Sequence, residues 1–527
     1  MSKTYDYIVC GGGTAGCVIA SRISYAGHSV LVIEAGPEDY NDQIMSPVAA
    51  PHLHGTKYEY NMVTTPQPGL GNRSIPNFGG KLLSGSSGVN YGLWTQGHSV
   101  DYDSWAKLVG DDRWNHENMR KYFEMAESRP VAATPRKYPL RETIRDAMLS
   151  AGLEYNPNTN SGSPFGFGPF QENWKNAQRQ PASKAYDLSK ATVLTNSVVA
   201  CIDFDRDEAT TVSGVTLTDG SRYTARKEVL VTCGALKTPQ LLMLSGIGPR
   251  SHLSQHDIPS IADLPVGENY HDKISTTLFW KLKNPEKGYA VGSPAFNKPE
   301  FLHGNPIEWI ATIPTPSEEL LKAAKADNFD LSTQGQDPEQ PRGNVEVFIA
   351  YAPLGRGGSE ITFDGTYISS PVVLLLPTSR GKITLANTDP SADPFLDPGY
   401  LKTETDRAAL RAGIRLALRV MESGTVNDFV EGETPPAGHK PLTSMSSDAE
   451  LDERMQIVGS SFFQNGGTAK MGAGMGDAVV DSQCRVKGVR NLRVCDASVL
   501  PVPLAGHYQA PMYAFGEAVA EMLLANC

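Results

Sequence analysis

Nowhere in these 527 residues is there an apolar run long enough to cross a bilayer, and no stretch is dense in lysine and arginine. The first absence argues against membrane insertion. The second, with a formal charge of −11, argues against nucleic acid and other polyanionic partners. Cysteine is scarce too. Seven are scattered at positions 10, 17, 201, 233, 484, 495 and 527, an odd number in apparent core strands, so buried thiols are expected rather than a disulfide framework. Neither they nor the eleven histidines cluster at metal-ligand spacing, and no metal site is expected. The first apolar strand starts at Tyr7, too near Met1 for a signal or transit peptide, so the expectation is a cytoplasmic protein. On that expectation the glycosylation pattern Asn72-Arg73-Ser74 is coincidental.

What is present is glycine in a meaningful place. Residues 7–36 read YIVCGGGTAGCVIASRISYAGHSVLVIEAG, a strand, a glycine-rich turn, a helix and a second strand ending at Glu34. Gly11, Gly13 and Gly16 stand at G-x-G-x-x-G spacing, with Thr14 and Ala15 between. The first glycine permits a tight turn, the second lets backbone approach a pyrophosphate, and the third lets helix and strand pack closely. The helix N-terminus would face phosphates, and Glu34 is placed to accept ribose hydroxyls. This spacing marks a dinucleotide site without saying which dinucleotide.

Strand patterns return at 191–194, 197–204, 212–217 and 228–232, completing or decorating that nucleotide-binding core. Helical patterns occupy 112–127 and 141–151, while 155–180 reads as loop. At 234–248, Thr238 reads as a helix N-cap and Pro239 as the first helical residue. From 276 onward, strand patterns at 345–350, 359–363, 371–376 and 382–386 precede a long helix at 403–421, and a terminal helix covers 511–525. The fold expected is α/β. Residues 1–95, 190–275 and 455–527 form a discontinuous Rossmann-like nucleotide domain. Residues 96–189 and 276–454 form a substrate-binding and connecting α+β domain on an antiparallel or mixed sheet.

Taken together, the motifs resemble the glucose–methanol–choline oxidoreductase family of FAD flavoproteins, as an intracellular fungal-type member related to its versicolorin B synthase-like branch. The resemblance rests on Gly11–Gly16 with Glu34, on 80–90 with Ser84 where glycine is customary, and on 234–248. It also rests on Pro265–Asn269, where Tyr270-His271-Asp272-Lys273 departs from the usual Leu-Gln-Asp-His, and on the ordered motifs from Gly467 to Pro511. The resemblance implies noncovalent FAD. Glu34 would hold the adenosine ribose, and Val199 would meet the adenine through its main chain. Gly85, Ser86 and Asn90 would line the isoalloxazine and pyrophosphate. Asp496 and Ala497 would lie near the ribityl–phosphate part, with Gln509 and Pro511 opening the terminal helix beneath the pyrimidine ring.

Oxidising an alcohol needs loss of the hydroxyl proton and hydride transfer to flavin N5, and a neutral imidazole suits the proton step. His507 stands in Ala505–Pro511 where the family carries His or Asn facing the flavin. The partner position, customarily His, holds Gln464, whose amide cannot take a proton. Three readings follow: an oxidoreductase with His507 as base and Gln464 orienting the hydroxyl; an inactive form in which Gln464 stands in for a histidine; or a flavin-retaining cyclase or lyase without net redox. Asn465, Phe463, Tyr508 and Trp94 are pocket candidates, and His28, His116, His252, His256, His303 and His439 read as surface or helix-end residues. His52 and His54 could border the channel. Phe462, Phe463 and Tyr508, from the two motifs that carry Gln464 and His507, would form an aromatic wall and point to an aromatic or apolar small-molecule alcohol. Oxygen or a quinone-like carrier would accept the electrons.

Overall fold

Tyr7–Cys10 and Val30–Ile33 are apolar at every position, the pattern of strands covered on both faces. In the computed structural model, which describes residues 3–128, 132–133, 136–334, 340–355, 361–474 and 476–525, they pair in parallel with Ile8 opposite Leu31. Thr192–Leu194 adds beside Val30–Ile33, and Arg222–Val231 pairs with the first strand on its other side. Leu492–Val494, from near the C-terminus, then pairs in parallel with the last three residues of that strand. Val199–Phe204 and Val212–Leu217 extend the sheet as an antiparallel meander. The first helix, Thr14–Tyr25, packs against the terminal helix Gln509–Ala525. Chain ends far apart in sequence therefore close one Rossmann-like layer.

The second sheet is antiparallel. Its strands run Val430–Thr434, Ile274–Leu282, Tyr367–Leu374, Val345–Ala350, Ile307–Ile313 and Gly166–Pro169, with Ser460–Ser461 against Ile274–Ser275. The helix Glu404–Met421 buries Leu410, Ile414, Ala417 and Met421 over it. Thr403 caps that helix, accepting from Asp406 N. The α/β class and the mixed strand directions are as the patterns imply.

Three local expectations are corrected. The stretch 155–180 is not all loop, because Gly166–Pro169 joins the edge of the second sheet and two short pairings follow it. Few side chains and many glycines hide such an edge strand from periodicity. The strand expected at 359–363 falls partly outside the described residues, its remainder is not strand, and the pairing strand is Tyr367–Leu374. Pro239 lies inside a helix that begins at Gly234, not at its first position. Proline removes the bond to the carbonyl of Ala235, and Thr468 Oγ1 donates to that carbonyl at 2.8 Å instead.

All six cysteines among the described residues are free thiols. No described helix is long and apolar enough to cross a membrane.

Candidate functional site

The glycine turn forms the cradle expected of a dinucleotide. Gly11 has φ +107°, and a Cβ on Gly16 would stand 2.3 Å from the Gly11 carbonyl oxygen. No side chain caps the helix at Thr14, and among the described residues the amides of Gly13, Thr14, Ala15 and Gly16 have no acceptor. Four donors at a helix N-terminus suit a phosphate group. Gly85 closes over them, so near that a Cβ there would meet Gly13 Cα at 2.8 Å. Ser84, in the place where glycine is customary, adopts φ +96°. Its hydroxyl accepts from Ser183 N at 3.0 Å, which helps hold the strained residue.

Glu34 is buried at the end of its strand, with its two carboxylate oxygens accepting from Gly12 N (2.9 Å) and Gly36 N (2.8 Å). Burial pushes its carboxyl up to about 7, against those backbone hydrogen bonds. Ser86 Oγ accepts from Gly80 N, and Val199 opens its strand opposite Leu217. Asn90 Nδ2 donates to Gln509 Oε1 at 2.7 Å, which ties this segment to the terminal helix, while Gln509 Nε2 is buried without a partner among the described residues. Such an orphaned donor fits a polar group presented by a bound ligand. Asp496 serves locally: it accepts from Gly234 N (2.8 Å) and Thr238 Oγ1 (2.7 Å), capping the helix that contains Pro239. Ala497 accepts from Gly467 N, and Pro511 lies in the first turn of the terminal helix.

His507 sits two residues before that helix, and its side chain is 7% exposed. Its Nε2 is 2.8 Å from Oε1 of Glu346, a residue of the second sheet whose side chain is 2% exposed. With Nε2–H donated to the carboxylate, the lone pair rests on Nδ1, to which no hydrogen bond is made among the described residues. The ring edge meets Phe462 at 5.4 Å between centroids. No sequence motif singles out Glu346. Its only signal is a carboxylate inside an otherwise apolar strand, VEVFIA.

Gln464 lies beside this pair, its side chain held from the neighbouring segment. Its Oε1 accepts from Tyr508 N at 3.1 Å, and its backbone N donates to Asp272 Oδ1 at 2.7 Å. With the carbonyl oxygen used, the amide NH2 is what Gln464 can present to a ligand. Asn465 is engaged at both ends: Oδ1 accepts from Tyr270 OH (2.6 Å) and Asn77 Nδ2 (3.0 Å), and Nδ2 donates to Asn77 Oδ1. Phe463, at φ +57°, stacks on Phe78 and meets His54. His54 lies between Glu59 and Tyr91 OH, both within 3.2 Å. Phe463, Phe78, His54 and Tyr91 are all half-buried, forming an aromatic wall next to Gln464.

Two further pocket candidates are buried. Trp94 is buried against Tyr513, with its indole N–H donated to Glu127, because a large aromatic with one donor is satisfied inside the core. Tyr508 is buried beneath Lys273, with its hydroxyl 3.4 Å from His271 Nδ1. His252, expected on the surface, is half-buried and accepts from Leu385 N. Among the described residues no group of side chains could hold a metal ion.

A GMC oxidoreductase N-terminal model matches residues 5–275 and a C-terminal one matches 377–516. The GMC-type oxidoreductase acuG of Aspergillus aculeatus is 73% identical over 531 residues, covering 100% of each chain. An oxygen-dependent choline dehydrogenase of Chromohalobacter salexigens is 31% identical over 554 residues, covering 99% of this chain and 95% of its own. Formate oxidase of Aspergillus oryzae superposes with a TM-score of 0.88 at 26% identity, covering 100% of this chain and 99% of its own.

Proposed function

The chain belongs to the GMC oxidoreductase family, and from that premise we propose that it oxidises the CH–OH group of an aromatic or apolar alcohol, with His507 as base. Enzymes of this family use FAD, which when bound supplies the hydride acceptor. Its phosphates would be held by the amides of Gly13–Gly16, its ribose by Glu34, and its ring system by Gly85, Ser86, Asn90 and Gln509. Val199, Asp496, Ala497 and Pro511 would complete the surround.

The observation that carries this reading is the 2.8 Å contact between His507 and Glu346. A carboxylate on one ring nitrogen fixes the tautomer and stabilises the imidazolium formed when the other takes a proton. Gln464 divides the work differently from a second histidine. Its amide NH2 donates to the substrate oxygen while His507 Nδ1 receives the hydroxyl proton. The half-buried ring group of Phe463, Phe78, His54 and Tyr91 supports a flat apolar substrate. The segments 1–95, 190–275 and 455–527 would carry the cofactor, and 96–189 and 276–454 the substrate. Oxygen or a quinone-like carrier would take the electrons, and the cytoplasm is the proposed location.

Anaerobic mixing of the flavin-loaded protein with a panel of aromatic and aliphatic alcohols tests the reading. Bleaching of the flavin by aromatic alcohols, with a product two hydrogens lighter, is expected. Conversion without change of mass while the flavin stays oxidised would instead identify a cyclase. If only Gln464→His bleaches, the present chain is an inactive form.

A further inference from the structure

Lys273 immediately precedes the strand Ile274–Leu282 and is fully buried, an expensive place for an ammonium group. Its Nζ donates to the Gly506 carbonyl and stands 4.6 Å above the Tyr508 ring. It therefore grips the chain on both sides of His507. The preceding residue, Asp272, accepts from the backbone N of Gln464. Two consecutive side chains thus hold the two residues assigned to the reacting hydroxyl. The same short segment is gripped again from outside. Ala505 N donates to Asp101 Oδ2 at 2.5 Å, and His507 N donates to Thr95 Oγ1 at 2.7 Å. Asp101 is itself paired with Arg342 at 2.6 Å.

We propose that Lys273 is the positioning residue of this site: by holding the Gly506 carbonyl it sets the peptide that carries His507, and so directs the imidazole to Glu346 at a distance from Gln464 set by Asp272. The proposal rests on the reading of His507 as base.

A buried charge kept for stability alone is a poor device, since an apolar side chain of similar length would serve at least as well. The groups facing Lys273 are the carboxylates of Glu346 and Asp101 from neighbouring elements and that of Asp272 beside it. The Tyr508 ring and the buried imidazole of His271 complete the surround, with Arg380 beyond them. Burial wins over the three carboxylates and brings the amine down to about 7. The ammonium is present below that pH and lost as pH rises through it.

The test compares the flavin-loaded wild type with Lys273→Met by melting temperature, flavin content, crystal structure and anaerobic flavin reduction by benzyl alcohol. The variant is expected to keep its flavin and melt no lower, while the 506–507 peptide turns and His507 Nε2 leaves hydrogen-bond distance of Glu346. Its reduction rate should fall by about 10- to 100-fold, the scale of a misplaced catalytic group; the wild-type rate is expected to decline as pH rises through about 7 and the ammonium becomes a weaker, neutral donor, and the variant should show no such decline. Lys273→Gln takes its place if the Met variant does not fold. An unmoved 506–507 peptide, or a rate loss matched by loss of flavin, would overturn the proposal. A wild type that no aromatic alcohol reduces sinks the His507 reading, yet the crystal comparison still decides what Lys273 does.

Discussion

Replacing Glu346 with glutamine probes the base directly. The substitution keeps side-chain volume, so the strand Val345–Ala350 and its apolar neighbours have no cavity to accommodate. What changes is the charge 2.8 Å from His507 Nε2. When His507 takes the hydroxyl proton, the imidazolium and carboxylate face one another some 4 Å between charge centres, worth roughly 4 kcal/mol at an effective dielectric near 20. A hydrogen bond to a charged group gives a lower figure of about 1.5–3 kcal/mol. At about 1.4 kcal/mol per factor of ten, the rate of flavin reduction should fall by roughly 10- to 10³-fold. A further loss is expected where the glutamine NH2 donates to Nε2 and moves the ring proton to Nδ1, the wrong tautomer for a base. Anaerobic stopped-flow measurement of flavin bleaching with a saturating aromatic alcohol reads the step, and flavin content and melting temperature control for folding. A loss below about fivefold, with both controls intact, would refute the dyad, because a charge-assisted hydrogen bond between these two buried side chains is expected to be worth about 1.5 kcal/mol or more.

If Glu34 holds the ribose as proposed, flavin affinity is predicted to depend on pH. Its folded-state carboxyl, at about 7, lies above its ordinary 4.5. The folded apoprotein therefore binds an extra proton between those values, and its stability falls as pH rises through that window. Ribose hydroxyls need the ionised form, so FAD affinity should rise as pH approaches 7 and level off above it; a flat titration of apoprotein from pH 5.5 to 8.5 by flavin fluorescence quenching, about three units in all, would contradict this. Gly16→Ala sets a methyl 2.3 Å from the Gly11 carbonyl oxygen, and the purified variant should lack flavin and lose about 1–3 kcal/mol of stability. Retention of flavin at the wild-type level counts against the cradle. Gln464→Ala removes the donor and orphans Tyr508 N. The expected result is about a 10²- to 10³-fold slower reduction with stability about 1–3 kcal/mol lower, checked by kinetics and by urea denaturation.

The cofactor was legible because its signals are local. Gly11, Gly13, Gly16 and Glu34 lie within one βαβ unit, where backbone clearance and strand-end position follow from neighbours in sequence. The long helices were legible for the same reason, through periodicity over many residues. Motif order along the chain was enough to identify the family and with it FAD. What Gln464 and His507 face was not legible. Glu346 lies 161 residues from His507, and Lys273 lies 233 residues from Gly506. No sequence period links such pairs; only the docking of the second sheet against the start of the terminal helix brings them together. The orientation of Gln464 likewise depends on the Tyr508 N–H that claims its oxygen. The sequence by itself determined that a dinucleotide is bound, because one short segment builds the cradle. The tertiary structure alone decided which carboxylate meets the imidazole and which end of the amide is free, because those are contacts between separate layers of the fold.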